Sequence, residues 1–206
     1  MMRDGSLFGV LLLYLIVSIM SVSTNIGQAP FPVWMPLLVI YSFIVPAMLL
    51  GTWRTAELDN LWIPITSGVS PRIIVRSLLY DFTLIAFIIP AGAMIVLTLL
   101  GQINPLVPFV LVTSVSLIGC SATLFTMIHF LGTKRRATPS FMIGWVSMLL
   151  SGLLISPTYG YVILSFTLGF TVEVSLLLAA PILAYSAIIF WFLSRKTESK
   201  ATRIEI

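Results

Sequence analysis

Few side chains in this sequence could do chemistry, and their positions decide which chemistry is open to them. Besides hydroxyls and cations, the 206 residues offer one histidine, one cysteine and seven acids. An activated serine hydrolase needs its nucleophile and base within hydrogen-bond reach. Ser151 falls toward one end of its apolar run and His129 near the opposite end of its own, so the two should differ in depth. Metal sites need several donors, which makes the lone imidazole of His129 a hydrogen-bonded packing group. Cys120, alone in an apolar stretch, excludes an intrachain disulfide and a Cys-rich metal site. No G-x-x-x-x-G-K-[ST] loop occurs, so nucleotide cannot bind this chain by that device, and no cofactor is expected on it.

Acids inside apolar runs are functional candidates by default. Asp81 lies about one helical turn into such a run, where proton coupling competes with a simpler reading, a snorkelling carboxylate or a local ion pair with Arg76. Glu173 stands apart from every other charge and either faces solvent or lines an exit.

The elements that carry these residues are set by composition. With 59% hydrophobic and 9% charged residues and a mean hydropathy of +1.10, the chain lies far from the roughly 25% charged residues of soluble domains. The expected fold is an all-α integral membrane protein, one transmembrane domain over residues 1–206. Six spans are expected at about 7–24, 33–52, 78–100, 106–131, 140–157 and 174–193, each able to cross about 30 Å of hydrocarbon with ordinary tilt. A signal peptide would also fit Arg3 and the first run, but no convincing small-x-small cleavage site follows, so a retained span is expected.

All eleven basic residues fall before span one, after spans two and four, or after span six. The opposite connectors hold only Glu173. The positive-inside rule therefore predicts a multi-pass protein with both termini cytoplasmic. The net charge of +4 is spread along juxtamembrane loops, where it orients the chain against anionic lipid; nucleic acid is not an expected partner. Residues 158–170 are apolar but make only about 20 Å of helix. A seventh crossing there would put the basic tail outside, so a re-entrant or interfacial segment on the outer side is expected, broken by Ser151, Gly152, Pro157 and Gly160. Prolines at 36, 46, 90 and 181 predict kinks, and the small residues Gly92, Ala93 and 119–122 predict close helix packing.

A cytoplasmic island, residues 53–77, separates spans two and three. Leu58, Leu61, Trp62 and Ile65 follow one helical face, Thr55 can cap its start, and Glu57 and Asp59 suit the positive end of the helix dipole. Pro64 and Gly68 end it, and Ser70 with Pro71 opens a new helix through Arg72 and Arg76 into span three. Two readings of the pattern are open: a docking surface whose aromatic anchor fills a groove in a soluble partner, or a helix lying in the headgroup layer.

The order of two spans followed by a Glu-bearing segment and Pro-Ile-Thr-Ser-Gly-Val-Ser-Pro-Arg (64 to 72) resembles the permease subunits of type-2 ABC exporters. Glu57, Leu61, Pro64, Ser70 and Arg76 stand in places comparable to that family's coupling helix, with Leu58, Asp59 and Asn60 replacing its Gly-Thr-Leu element and Arg76 its usual Lys. Leu150, Ser151, Gly152 and Pro157 are similar to its Ser-Gly and Pro pattern in span five. The resemblance implies ATPase coupling through Glu57, Leu58, Leu61, Trp62, Ile65, Ser70, Arg72 and Arg76. It also implies a homo- or heterodimer of permeases, with ATP and Mg held by a separate ATPase subunit. Candidates for the translocation path or gate are Asp81, Ser151, Gly152, Pro157 and Glu173. An interior with few charges and many hydroxyl and aromatic groups suits apolar or amphipathic cargo. The alternatives are a six-span capture subunit of a vitamin uptake system or a small secondary carrier, and an intramembrane hydrolase.

Overall fold

The computed structural model describes residues 68–99, 106–131, 140–168 and 172–202, and every regular element among them is a helix. Four helices follow in order, α1 (Pro71–Leu99), α2 (Leu106–Leu131), α3 (Ser140–Thr167) and α4 (Val172–Ala201). All four are long and apolar enough to cross a membrane, which makes this a multi-pass membrane protein. The expected spans at 7–24 and 33–52, and the island helix carrying Glu57, Leu58, Leu61, Trp62 and Ile65, lie outside the described residues.

α1 begins where the sequence places a helix start. Gly68 adopts φ +85°, a left-handed conformation that glycine enters without a Cβ penalty. The chain thereby turns into Ser70, whose carbonyl accepts the amides of Ile73 at 3.0 Å and Ile74 at 3.4 Å. Pro71 then fills the first helical position, where its missing N–H costs nothing.

The packing has one centre. α2 lies against α1, α3 and α4, and Val110, Leu111, Ile118, Leu124 and Ala122 along it are almost wholly buried. Its upper half joins Ile155, Tyr161 and Val162 of α3 and Ala179 of α4 in one cluster. Its lower half joins Val75, Leu79, Phe82 and Ala86 of α1 and Ala201 of α4 in another. Side-chain bonds fix the directions. Ser114 meets Ser186, and His129 meets Lys200, at sequence separations of 72 and 71, so α2 and α4 run parallel. Tyr161 donates to the Ser175 carbonyl and Tyr185 to that of Leu154, so α3 and α4 run antiparallel. The chain thus alternates direction, and Arg72, Arg76, Arg195, Lys196 and Lys200 gather at one end of the bundle while Glu173 sits at the other.

α3 corrects the expectation for residues 158–170. The helix runs unbroken through Ser151, Gly152, Pro157 and Gly160 to Thr167, so no re-entrant break begins after Pro157. Proline cannot donate to the carbonyl four residues back, and lipid offers that carbonyl no water. Here the Ser156 hydroxyl donates to the Leu153 carbonyl at 2.7 Å and fills the vacancy. Pro90 and Pro181 likewise lie inside continuous helices. At Gly92 no described residue supplies the expected close packing: none comes within 4 Å of where its Cβ would stand.

Candidate functional site

Two groups of side chains stand out, a charged clasp at the basic end and a line of hydroxyls in the bundle. The clasp starts with Arg76, one turn and a half into α1. Its Nε donates to Glu198 Oε1 at 3.0 Å and its Nη2 to Oε2 at 3.3 Å, a two-pronged pair that ties α1 to α4. Two residues on, the Lys200 ammonium donates to Nδ1 of His129 and ties α4 to α2. Three helices therefore meet through four side chains, on the side of the bundle where Ser70 and Pro71 bring the chain in.

Of the two local readings open for Asp81, a snorkelling carboxylate or an ion pair with Arg76, this arrangement removes the ion pair. Five residues along a helix turn about 140° past a full revolution, so the two side chains point apart. Arg76 faces α4, while Asp81 is exposed on α1 with no ion-pair partner among the described residues. His129 is exposed too, between Phe125 and Phe130, and is held by Lys200 rather than packed in the interior. Glu198 escaped the sequence reading. The available signal was its place as the one acid between Lys196 and Lys200 in a basic tail.

The hydroxyl line runs along α2 and its neighbours. Ser147 of α3 donates to Thr123 at 2.9 Å, and Ser186 of α4 donates to Ser114 at 2.8 Å, both in buried surroundings. Thr126 and Ser121 bond back to carbonyls of their own helix, an ordinary device in a medium without water. Among the described residues four buried hydroxyls find no partner: Thr113 and Ser116 on α2, Ser151 and Thr158 on α3. Ser151 stands one turn past Ser147 on the same face of α3, and Thr158 two turns further on. Each holds unused hydrogen-bonding capacity inside the bundle.

The sequence-derived path candidates do not converge. Ser151 is buried against the bundle and Gly152 is half-buried beside it, whereas Pro157 is exposed on α3. Asp81 lies toward the basic end, and Glu173 is exposed in the first turn of α4, where its charge suits the helix dipole. Of the coupling candidates within the described residues, Ser70, Arg72 and Arg76 all lie at the basic end and are exposed. Among the described residues no group of three His, Cys, Asp or Glu gathers to hold a metal. Comparison of the chain with protein-family models, curated proteins and solved structures found no match in any of the three.

Proposed function

We propose that this chain is the permease subunit of an ATP-driven exporter of the type-2 ABC class. In this reading it sits in the cell membrane with both termini cytoplasmic and pairs with a second permease subunit, identical or not. It hydrolyses nothing itself. A separate ATPase subunit binds ATP and Mg and docks on residues 55–71, with Leu61 and Trp62 as its apolar anchors. Closure of the ATPase moves that segment, and differential affinity for two permease states supplies the work. The cargo is apolar or amphipathic.

The observation that carries this reading is the way α1 is attached. Gly68 and the Ser70 cap lead straight into α1, and Arg76 binds that helix to Glu198 of α4, which Lys200 binds to α2. A pull on the segment before Gly68 is thereby delivered to three helices together. The basic end of the bundle is also the end that the positive-inside rule assigns to the cytoplasm, where an ATPase is found.

Gentle solubilisation of the tagged protein from its native membrane, followed by mass spectrometry of stoichiometric partners, tests it. The expected result is a Walker-motif ATPase retained by the parent and lost by the Leu61→Ala, Trp62→Ala variant. A parent that is recovered in comparable yield without any ATPase overturns the exporter reading and favours a carrier or a capture subunit.

A further inference from the structure

The cations at the basic end divide into two kinds. Arg76 and Lys200 face other helices and are engaged there, by Glu198 and His129. Arg195 and Lys196 lie on the outward face of α4, exposed, with no carboxylate partner among the described residues. Each leans back over an aromatic ring one turn earlier, Arg195 at 4.6 Å from the centroid of Trp191 and Lys196 at 5.3 Å from that of Phe192. Trp191 and Phe192 are themselves 55% and 49% exposed, so the rings do not belong to the bundle interior.

The level at which this happens is set by the sequence of α4. The helix is apolar from Val174 to Leu193 and turns polar from Ser194 onward. Side chains on a helix tilt toward its N-terminus. The two cations are therefore directed back to the boundary between hydrocarbon and headgroups instead of away into water. The rings beneath them occupy the depth at which tryptophan and other amphipathic aromatics settle. A guanidinium and an ammonium group at that depth, on consecutive residues about 100° apart round the helix and each over its own ring, suit the phosphate oxygens of a headgroup, to which arginine offers two parallel donors.

We propose that the outward face of the α4 C-terminal turns, Trp191, Phe192, Arg195 and Lys196, is a binding site for the headgroup of an anionic phospholipid. The rings contact the glycerol and upper acyl region and the two cations contact the phosphate. This site rests only on the membrane character of the chain and stands or falls independently of the exporter reading.

Native mass spectrometry of the full chain, extracted into mild detergent and titrated with phosphatidylglycerol or phosphatidylcholine, tests the site. The parent should retain phosphatidylglycerol preferentially. Arg195→Gln with Lys196→Gln should lower that occupancy roughly tenfold or more, as expected for removing two juxtamembrane cations. The charge-preserving exchange Arg195→Lys with Lys196→Arg should keep most of it. Arg72→Gln, which removes an exposed cation at the same end but outside the site, should leave it unchanged. Unequal effects in this pattern, with all variants matching the parent in thermal stability, support the site. Equal retention of the two lipids, or equal loss in the Arg72 and Arg195/Lys196 variants, overturns it. So does displacement of the lipid by inorganic phosphate at the same total phosphate, or crosslinking of Arg195→Cys to residues 1–67, which would show another occupant.

Discussion

α2 and α4 run side by side in the same direction, yet they face opposite surroundings. The apolar window of α2 has a mean hydropathy of 1.9 and is 78% buried, while that of α4 has a mean hydropathy of 2.3 and is 17% buried. In water the more apolar helix would be the one enclosed. Here it is the one left outside, with Leu176, Leu177, Ile188 and Trp191 exposed, because lipid accepts such a surface at no cost. The enclosed helix instead carries hydroxyls and small residues, Ser114, Ser116, Ser121, Ala122 and Thr123, which permit close approach and bonding between helices. What separates inside from outside in this molecule is polarity of contact and fit, not hydrophobicity.

If fit is what holds α2 in place, truncating it should cost far more than truncating α4. Ile118→Ala should destabilise the protein by about 2 kcal/mol, the lower end for a buried aliphatic residue, since lipid supplies no hydrophobic drive. Ile188→Ala on the exposed side should stay within about 0.5 kcal/mol of the parent. Denaturant-titrated unfolding in mixed micelles measures both, and equal losses would break the contrast.

A smaller effect should come from α3, which lies between the two extremes. Ser156→Ala leaves the Leu153 carbonyl unpaired beside Pro157 and should cost about 1 kcal/mol by the same measurement. The loss should vanish when Pro157→Ala is added, because alanine restores the backbone donor. Persistence of the loss would mean that Ser156 acts in some other way.

The smallest effect should be the hydroxyl pair joining the two helices under comparison. A double-mutant cycle of Ser114→Ala and Ser186→Ala should give a coupling of about 0.6 kcal/mol, the average for interhelical bonds in a bilayer. A coupling near zero would leave shape alone to pair α2 with α4.

The sequence made some of this legible and hid the rest for physical reasons. The bounds of α2 coincide with the apolar run at 106–131, and Ser70 with Pro71 marks the start of α1, because a cap and a proline are local signals. The arrangement of the four helices was not legible. A helix apolar on all sides has no periodicity to show which face meets protein. Pro157 was misjudged as a break because the compensation lies one residue earlier, in Ser156, and only the hydroxyl geometry reveals it. Nearness in sequence offers Asp81 as one local partner for Arg76, whereas the partner in the structure stands 122 residues away. Of the eight coupling candidates only Ser70, Arg72 and Arg76 lie within the described residues, and Glu198, which grips one of them, came from the structure alone.

The parallel pairing of α2 with α4 has a consequence for how the protein is made. α2 emerges from the ribosome with α1 as the only one of its three described neighbours already synthesised, and Ser114 waits another 72 residues for Ser186. At translation rates of about 5–20 residues per second that is a delay of roughly 4–14 s. During it, the most enclosed helix of the set, with hydroxyls that later face its neighbours, depends on its own carbonyls, on the insertion machinery, or on a chaperone. Errors of biogenesis should therefore concentrate in chains truncated between Leu131 and Ser186, in which α2 has been delivered to the membrane and its last companion has not.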